Sequence, residues 1–317
     1  MKPDNGIDVL EQDIANYNSA LLDILLIDRT TGKNIVWASD DYAYMGDAYG
    51  ACKQITPSLI IGKNTRIIQP RIAKAQQDQL NRTRNKAEVF TPSWVCNAQN
   101  NLIDEAWFGR KDVFNTSDGT TWQPIEAPIR FPDDKQHTWK KYVDANRMEI
   151  TCGEAPYLVS RYDTTTGVAI PIKNRIGLLD RKLRIVAENT EDEEDWWKWM
   201  ERAFQSIYGY EFQGDNLLLA RENLLYTFVD YIRFYLRREP TLREMKRIAT
   251  IVSWNLWQMD GTTYTIPYSK IKENEEQMMI FDMFSQPADD DYTKPCCIKD
   301  WRSKVILEFR SLLKGGK

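Results

Sequence analysis

Histidine and cysteine are scarce in this chain, which has one histidine, His137, and five cysteines among 317 residues. The cysteines are odd in number and irregularly spaced, so they give neither a disulfide framework nor the paired Cys-x-x-Cys spacing of a zinc site. Only the adjacent Cys296 and Cys297 are candidates for a contribution to a metal site. A disulfide-stabilised secreted domain is therefore excluded, and free thiols fit a reducing compartment.

Long apolar runs are missing as well. No uninterrupted hydrophobic stretch approaches the roughly 20 residues of a membrane span. The first residues, Met1-Lys2-Pro3-Asp4, contain no apolar signal core. We therefore expect a cytoplasmic protein without a membrane partner.

The chain also lacks adjacent prolines and a net positive charge, and each absence narrows the possible functions. None of the 13 prolines is followed by another proline, which excludes every motif that needs a Pro-Pro pair. The formal net charge is −4, whereas a free-standing nonspecific DNA-binding protein is usually basic overall. Contact with DNA through a local basic patch stays open.

The chain has the composition of a folded protein, with 42% hydrophobic and 12% aromatic residues. Its length is sufficient for one large α/β domain and a smaller one. We divide it into an N-terminal cap (1–62), a basic helical connector (63–90) and a cofactor-binding domain (91–317). The cap is predicted as a small α+β unit, with a helix over 7–22, a strand over 24–27, a polar turn over 28–34 and a strand over 35–38.

The connector concentrates positive charge. Residues 63–86 contain one acidic residue, Asp78, against seven basic residues: Lys63, Arg66, Arg71, Lys74, Arg82, Arg84 and Lys86. One interpretation is a solvated helix face. The other is a segment that lies along a DNA backbone and contacts its phosphates, with Arg71, Lys74, Arg82, Arg84 and Lys86 as the candidate residues.

A sharp turn is predicted where the run Arg147–Cys152, which is typical of a strand, meets Gly153. A glycine at such a turn lets the backbone approach a ligand without a Cβ in the way. Pro156 suits the first turn of a following helix, predicted over 156–161. Free N–H groups there could hold a carboxylate, so Thr151, Gly153, Glu154 and Ala155 are candidate binding residues. Many folds, however, make such turns for packing alone.

A second unit supplies a carboxylate. A strand is predicted to end at Glu211, and a long helix follows over 216–237 with Asp215 as its N-cap. A carboxylate at the carboxyl end of such a strand can accept hydrogen bonds from both hydroxyls of a ribose. Glu211 lies 58 residues after Gly153, against roughly 20 in dinucleotide folds. Residues 163–189 are therefore predicted to loop out as an insertion with a short helix over 178–183.

Further helices are predicted over 241–254 and 305–313. The acidic run 191–195 precedes three tryptophans and is interpreted as a helix start, where acids complement the helix dipole. Asp260, in an Asp-Gly pair after the next unit, is either a ligand-binding acid or part of a turn.

As a set, these strings resemble the cofactor motifs of adenine-N6 DNA methyltransferases of restriction-modification systems. Glu88-Val89-Phe90-Thr91-Pro92 is similar to one motif, and the stretch Glu149–Leu158 is similar to the other. The resemblance implies a Rossmann-like sheet that binds S-adenosylmethionine. In such a site, Phe90, Thr91 and Pro92 would close over the methionine end. Glu211 would bind the ribose, and Asp260 would accept from the adenine amino group. The chain departs from the family at Ala155, which replaces a second glycine, and at Pro156.

The catalytic Asn-Pro-Pro-aromatic motif of that family is missing. The exocyclic amine of adenine is a poor nucleophile, and its methylation needs acceptors for the amine protons and an aromatic face for the flipped base. The nearest stretch, 281–289, lacks the second proline and the aromatic residue. We therefore expect no catalytic residue in this chain and a second chain that carries the motif and target recognition.

Two alternatives remain. The first is a noncatalytic DNA-binding or scaffold subunit of a restriction-modification complex. The second is a nuclease subunit, for which Pro132-Asp133-Asp134 and Glu149-Ile150-Thr151 lack the lysine that normally accompanies the metal-binding acids.

Overall fold

The computed structural model describes residues 7–74, 91–269 and 294–313. The helices of this part are α1 (Glu11–Tyr17), α2 (Ser19–Leu26), α3 (Pro57–Ile60), α4 (Ser93–Phe108), α5 (Trp139–Asp144), α6 (Leu178–Asn189), α7 (Glu193–Gln205), α8 (Gly214–Tyr231), α9 (Leu242–Asn255) and α10 (Phe309–Leu313). The strands are β1 (Asn115–Asp118), β2 (Thr121–Pro124), β3 (Arg147–Glu149), β4 (Ile207–Glu211), β5 (Leu256–Gln258), β6 (Cys297–Lys299) and β7 (Ile306–Glu308).

The fold is mixed α/β and contains a three-stranded parallel sheet. Its order is β3-β4-β5, with Met148 opposite Tyr208 and Tyr210 opposite Trp257. Two antiparallel hairpins, β1-β2 and β6-β7, complete the strand pairing of the described residues. All residues of β4 are buried, which is the expected position of the central strand.

Helix α8 follows β4 and lies almost entirely inside the molecule. Nearly every residue of Gly214–Tyr231 is buried, including the charged Asp215, Arg221 and Glu222, so neighbouring elements cover the helix on all sides. After Tyr231 the chain continues as a π-helical turn, Ile232–Leu236. The sequence predicted one α-helix over 216–237, so its start and its regular end were both placed too late.

Helix starts follow local capping chemistry. The Asp192 side chain accepts a hydrogen bond of 2.8 Å from the Asp195 N–H at the start of α7. This confirms the acidic run as a helix start. At α9, Thr241 and Glu244 form a reciprocal capping box.

The N-terminal prediction needs a correction. The helix predicted over 7–22 is divided into α1 and α2, and the strand predicted over 24–27 is wrong because α2 continues to Leu26. Leu21, Leu22, Leu25 and Leu26 are all fully buried at helical spacing, so tertiary packing favours the helix. The predicted strand pairing is reduced to a single bridge between Ile27 and Asn34.

Two other predictions are wrong for structural reasons. Residues 156–161 form turns instead of a helix, since Glu149 accepts the N–H groups of Tyr157 and Leu158 and Asp180 accepts the N–H of Ser160. The stretch 305–313 is predicted as helix but begins with β7.

Asp215 is not the N-cap of α8. The cap position is held by Gln213, and Asp215 lies in the first turn. Between 163 and 189, the short helix of the predicted insertion is present and extends to Asn189 as α6.

Candidate functional site

Hydrogen bonds join the turn after β3 to the carboxyl end of β4. The Gly153 N–H donates to Glu211 Oε2 over 2.8 Å. The Cys152 N–H, three residues after the end of β3, donates to the Tyr210 carbonyl over 2.8 Å and holds Gly153 beside Glu211. The structure thus brings together two residues that sequence reasoning chose from separate motifs. We call them the Gly153–Glu211 pair.

The turn that carries Gly153 is conformationally strained. Thr151, Gly153 and Ala155 have φ values of 49°, 52° and 64°, all in the left-handed region. Glycine adopts this region freely, whereas a β-branched threonine and an alanine do not. The buried Ala155 and the exposed Thr151 are held there by the surrounding structure, and backbone strain of this kind clusters at functional sites.

Glu211 is buried, with 7% of its surface exposed. Besides the Gly153 N–H, its carboxylate accepts the N–H groups of Phe212 and Gln213 over 2.9 and 3.1 Å. Burial raises the pKa of Glu211 above its ordinary value, and the backbone hydrogen bonds oppose this increase. The result is a fixed acidic acceptor at the end of the central strand.

Sequence reasoning missed the role of a second buried acid, Glu149, at the end of β3. Its carboxylate accepts the N–H groups of Tyr157 and Leu158 over 3.4 and 3.2 Å. Burial raises the pKa of Glu149 well above its ordinary value. Nothing in the sequence signalled this role, because the strand was predicted to run from Arg147 to Cys152, whereas β3 ends at Glu149. Its function in the structure is to hold the returning chain against the sheet.

Glu154 is buried, and its hydrogen bonds fix the turn from the interior of the protein. Its two carboxylate oxygens accept hydrogen bonds of 2.6 Å from the Arg71 N–H and the Tyr162 hydroxyl. Asn223 of α8 donates to the Glu154 carbonyl over 3.1 Å. Glu154 therefore supports the turn instead of presenting its carboxylate to solvent.

Thr91 and Pro92 lie beside the loop that follows the turn. The Thr91 carbonyl accepts a hydrogen bond of 3.2 Å from Thr164, and Pro92 is the residue before α4. The first N–H of α4, from Ser93, donates to Asp163 over 2.7 Å. Phe90 lies outside the described residues.

Asp260 belongs to a turn after β5. Its carboxylate accepts the N–H and the hydroxyl of Thr262 over 2.8 and 2.6 Å. Burial raises the pKa of Asp260. The hydrogen bonds lower it by more, so the pKa of Asp260 lies below its ordinary value. The hydrogen bonds of Asp260 lie within its own loop and do not connect it to the Gly153–Glu211 pair.

The basic candidates divide into two groups. Lys74 forms an ion pair of 3.2 Å with Asp215 at the start of α8, and its side chain is only 9% exposed. Tyr42 donates to the same carboxylate oxygen over 2.8 Å. The Arg71 backbone contacts Glu154, as described above. Arg82, Arg84 and Lys86 lie outside the described residues, so DNA contact by this segment remains a prediction.

Within residues 7–74, 91–269 and 294–313, no group of histidine, cysteine and acidic side chains is arranged to hold a metal ion. The stretch 281–289 lies outside these ranges. The same ranges contain no helix with the length and apolar character that crossing a membrane requires.

Comparison with known proteins adds no assignment. No protein-family model matches the chain, and no curated protein or solved structure is significantly similar to it.

Proposed function

We propose that this chain is the S-adenosylmethionine-binding part of an adenine-N6 DNA methyltransferase of a restriction-modification system, built on a Rossmann-like sheet. The observation that carries the proposal is the Gly153–Glu211 pair. It joins a glycine turn and a buried carboxylate at the carboxyl ends of two neighbouring parallel strands. Open α/β sheets bind nucleotide ligands at this edge, with the acid on the ribose hydroxyls.

The roles follow from the chemistry of each group. Glu211 accepts hydrogen bonds from the ribose, and the turn at Thr151–Ala155 faces the methionine end. Because Gly153 is followed by turns and no α-helix starts before Leu178, a methionine carboxylate would meet turn N–H groups instead of a helix N-terminus. Phe90, Thr91 and Pro92 complete the methionine side, and Asp260 accepts from the adenine amino group.

Catalysis requires a second chain in this proposal. The sequence has no Asn-Pro-Pro-aromatic motif to accept the amine protons of the target base. The exposure of β3 supports a sheet that another chain completes. Met148 in β3 is 43% exposed, and Ile150 directly after β3 is 61% exposed. The partner would bring the catalytic turn and target recognition, and the complex would act on DNA in the cytoplasm.

Calorimetric titration of the purified chain with S-adenosylmethionine and with sinefungin tests the donor site. We expect saturable binding of one ligand per chain, and we expect Glu211→Gln to weaken it by roughly tenfold or more, because a charged acceptor is lost. Glu308→Gln, at an exposed position in β7, is the matched control and should bind normally.

Absence of binding to the wild-type chain would refute the donor site. Methyl transfer to adenine by the purified chain alone would instead refute the division of catalysis between two chains.

The second candidate is a noncatalytic DNA-binding or scaffold subunit. One observation favours it: three backbone N–H groups of the chain itself already occupy the Glu211 carboxylate. The same titration separates the two functions, because a scaffold gives no heat with the donor while still binding DNA in a mobility-shift assay.

A further inference from the structure

A cluster of positive charge lies where α9 leads into β5. Trp254 is the next-to-last residue of α9, two positions before the start of β5. It therefore lies at the amino end of the sheet, whereas the Gly153–Glu211 pair lies at the carboxyl end. Four basic residues lie beside Trp254 or further along the same side of α9, and we call them the cation cluster: Arg29, Lys246, Arg247 and Lys299.

Indole rings hold most of these cations in place. Arg29 Cζ and Lys299 Nζ lie 5.8 and 5.7 Å from the centre of the Trp254 ring. Lys299 Nζ is also 4.5 Å from the centre of the Trp301 ring, and Arg247 Cζ is 5.6 Å from it. Cations at such distances are attracted by the ring. The turn after α2, helix α9 and strand β6 thus bring their positive charges together.

Most of this charge is not neutralised by the protein. Arg247 forms an ion pair of 2.6 Å with Glu201. Among the described residues, no carboxylate pairs with Arg29, Lys246 or Lys299. These three side chains are half-buried and keep exposed surface, and the Arg247 side chain is 43% exposed. Partial burial of a cation without an anionic partner is costly. An anion that binds at this surface can reach the charges and offsets that cost.

The extent of the cluster selects a long anion. Lys246 and Trp254 are eight residues apart in α9, which corresponds to about 12 Å along the helix. A small anion is too short to contact both ends, whereas a nucleic-acid strand carries one negative charge per about 3.4 Å of its axis. Arg29 Nε donates to Ser253 over 2.9 Å, and its terminal nitrogens donate to no other described group. These donors match the oxygens of a phosphate.

We propose that the cation cluster binds the phosphate backbone of a nucleic acid and anchors DNA at the amino end of the sheet. This inference rests on the part of the proposed function that makes DNA the partner, and it does not depend on the donor site. The cluster is separate from the basic connector, whose Lys74 is paired at the start of α8, beside the carboxyl end of β4. Phosphate contacts carry no sequence information, so target recognition stays with the second chain.

Fluorescence anisotropy of the full chain with a labelled DNA duplex of about 20 base pairs, in about 50 mM salt, tests this surface. We expect Lys246→Gln together with Lys299→Gln to weaken binding by about tenfold or more, because two phosphate contacts lose a cation. The slope of log affinity against log salt concentration should become shallower by about two, and by about one in each single variant. Lys173→Gln, at an exposed position outside the cluster, is the matched control and should bind DNA normally. Urea denaturation of each variant verifies that it is folded.

Absence of DNA binding by the wild-type chain at micromolar concentration overturns the proposal. So does equal weakening by Lys173→Gln, and so does binding that is abolished by Arg82→Gln with Arg84→Gln but unchanged by the double variant of the cluster. Tighter binding to polyglutamate than to DNA would assign the cluster to an acidic protein and would also overturn the proposal. A cluster-dependent preference for duplex or for single-stranded DNA of the same length supports it and identifies the form that is bound.

Calorimetric titration of the same double variant with S-adenosylmethionine keeps the two proposals apart. Loss of the cluster should leave donor binding unchanged, because the cluster and the Gly153–Glu211 pair lie at opposite ends of the sheet. Cluster-dependent DNA binding by a chain that does not bind the donor refutes the donor site alone and supports the cluster.

Discussion

The two outer strands of the parallel sheet differ sharply in how they are covered. β5 is buried along its whole length, and its Gln258 side chain bonds both the N–H and the carbonyl of Val36 in the N-terminal segment. β3, in contrast, has exposed apolar side chains at Met148 and, just beyond its end, at Ile150. Parallel strands are normally covered on all sides. Among the described residues, the chain thus completes one side of the sheet and leaves the other incomplete.

The backbone of β3 agrees with this difference. The Arg147 N–H donates to the Ser206 carbonyl over 2.9 Å, so Arg147 points its polar groups towards β4. Because successive residues of a strand alternate in direction, the N–H and carbonyl of Met148 point away from β4. An edge of this kind is a template for pairing with another strand.

The largest effect is expected from breaking the covered side at Arg221. This fully buried side chain donates to the carbonyls of Leu256 in β5 and of Leu25 and Ile27 in the N-terminal segment. Burial lowers the pKa of Arg221 to about 9. We expect Arg221→Met to reduce the free energy of unfolding by about 3–5 kcal/mol, since buried carbonyls lose a charged donor. Urea denaturation measures the change.

The matched control lies on the open side. Arg147→Met removes an arginine from β3 whose side-chain hydrogen bond, 3.4 Å to the Asn146 carbonyl, is weak and exposed. Its cost should stay within about 1 kcal/mol. Equal destabilisation by the two substitutions would contradict the difference between the sides.

An intermediate effect is expected where α1 meets α8. Glu11 and Glu222 are both buried, and neither carboxyl has a hydrogen-bond partner among the described residues. Burial raises the pKa of Glu11 from 4.5 to about 8. Below pH 4.5 the folded and unfolded chains are both protonated here. Between pH 4.5 and about 8 only the folded state keeps the proton, so stability falls by up to about 1.4 kcal/mol per pH unit.

Glu11→Gln removes the part of this dependence that Glu11 contributes and leaves the part that comes from Glu222. We expect the variant to be more stable than the wild-type chain at pH 8 and similar to it at pH 4.5, as measured by urea denaturation at both values. Glu308→Gln, at an exposed position, should follow the wild-type chain. Parallel pH profiles of wild type and Glu11→Gln would show that burial does not control this carboxyl.

The smallest effect is expected on the open side itself. Met148→Lys and Ile150→Lys should change the free energy of unfolding of the isolated chain by no more than about 0.5 kcal/mol, because both side chains are already exposed. Met245→Lys, at a position in α9 that is 1% exposed, is the control for a buried site and should lower the free energy of unfolding far more, because it buries a charge. A large loss of stability from Met148→Lys would mean that the chain itself covers this edge.

Local signals in the sequence predicted what local chemistry determines. The strand that ends at Glu211, the start of α7 at the acidic run and the turn at Gly153 all follow from a few neighbouring residues. Predictions failed where distant contacts decide. The helix at Ile24–Leu26 is favoured by packing, and the turns over 156–161 exist because Glu149 and Asp180 accept their N–H groups.

The ion pair between Lys74 and Asp215 joins residues 141 positions apart. A basic residue in a basic segment gives no signal of such a partner, and the contact can be derived only from the folded chain. The cation cluster beside Trp254 was not predicted for the same reason, since the turn after α2, α9 and β6 meet there only after folding.

The ion pair at Lys74 and the contacts of Thr91 and Ser93 attach the chain to the rest of the protein at two points. Lys74 is held at the start of α8, and Thr91 and Ser93 are held by the loop at Asp163 and Thr164. Two positions that lie 17 residues apart in the sequence are therefore fixed to two different elements of the described part of the protein.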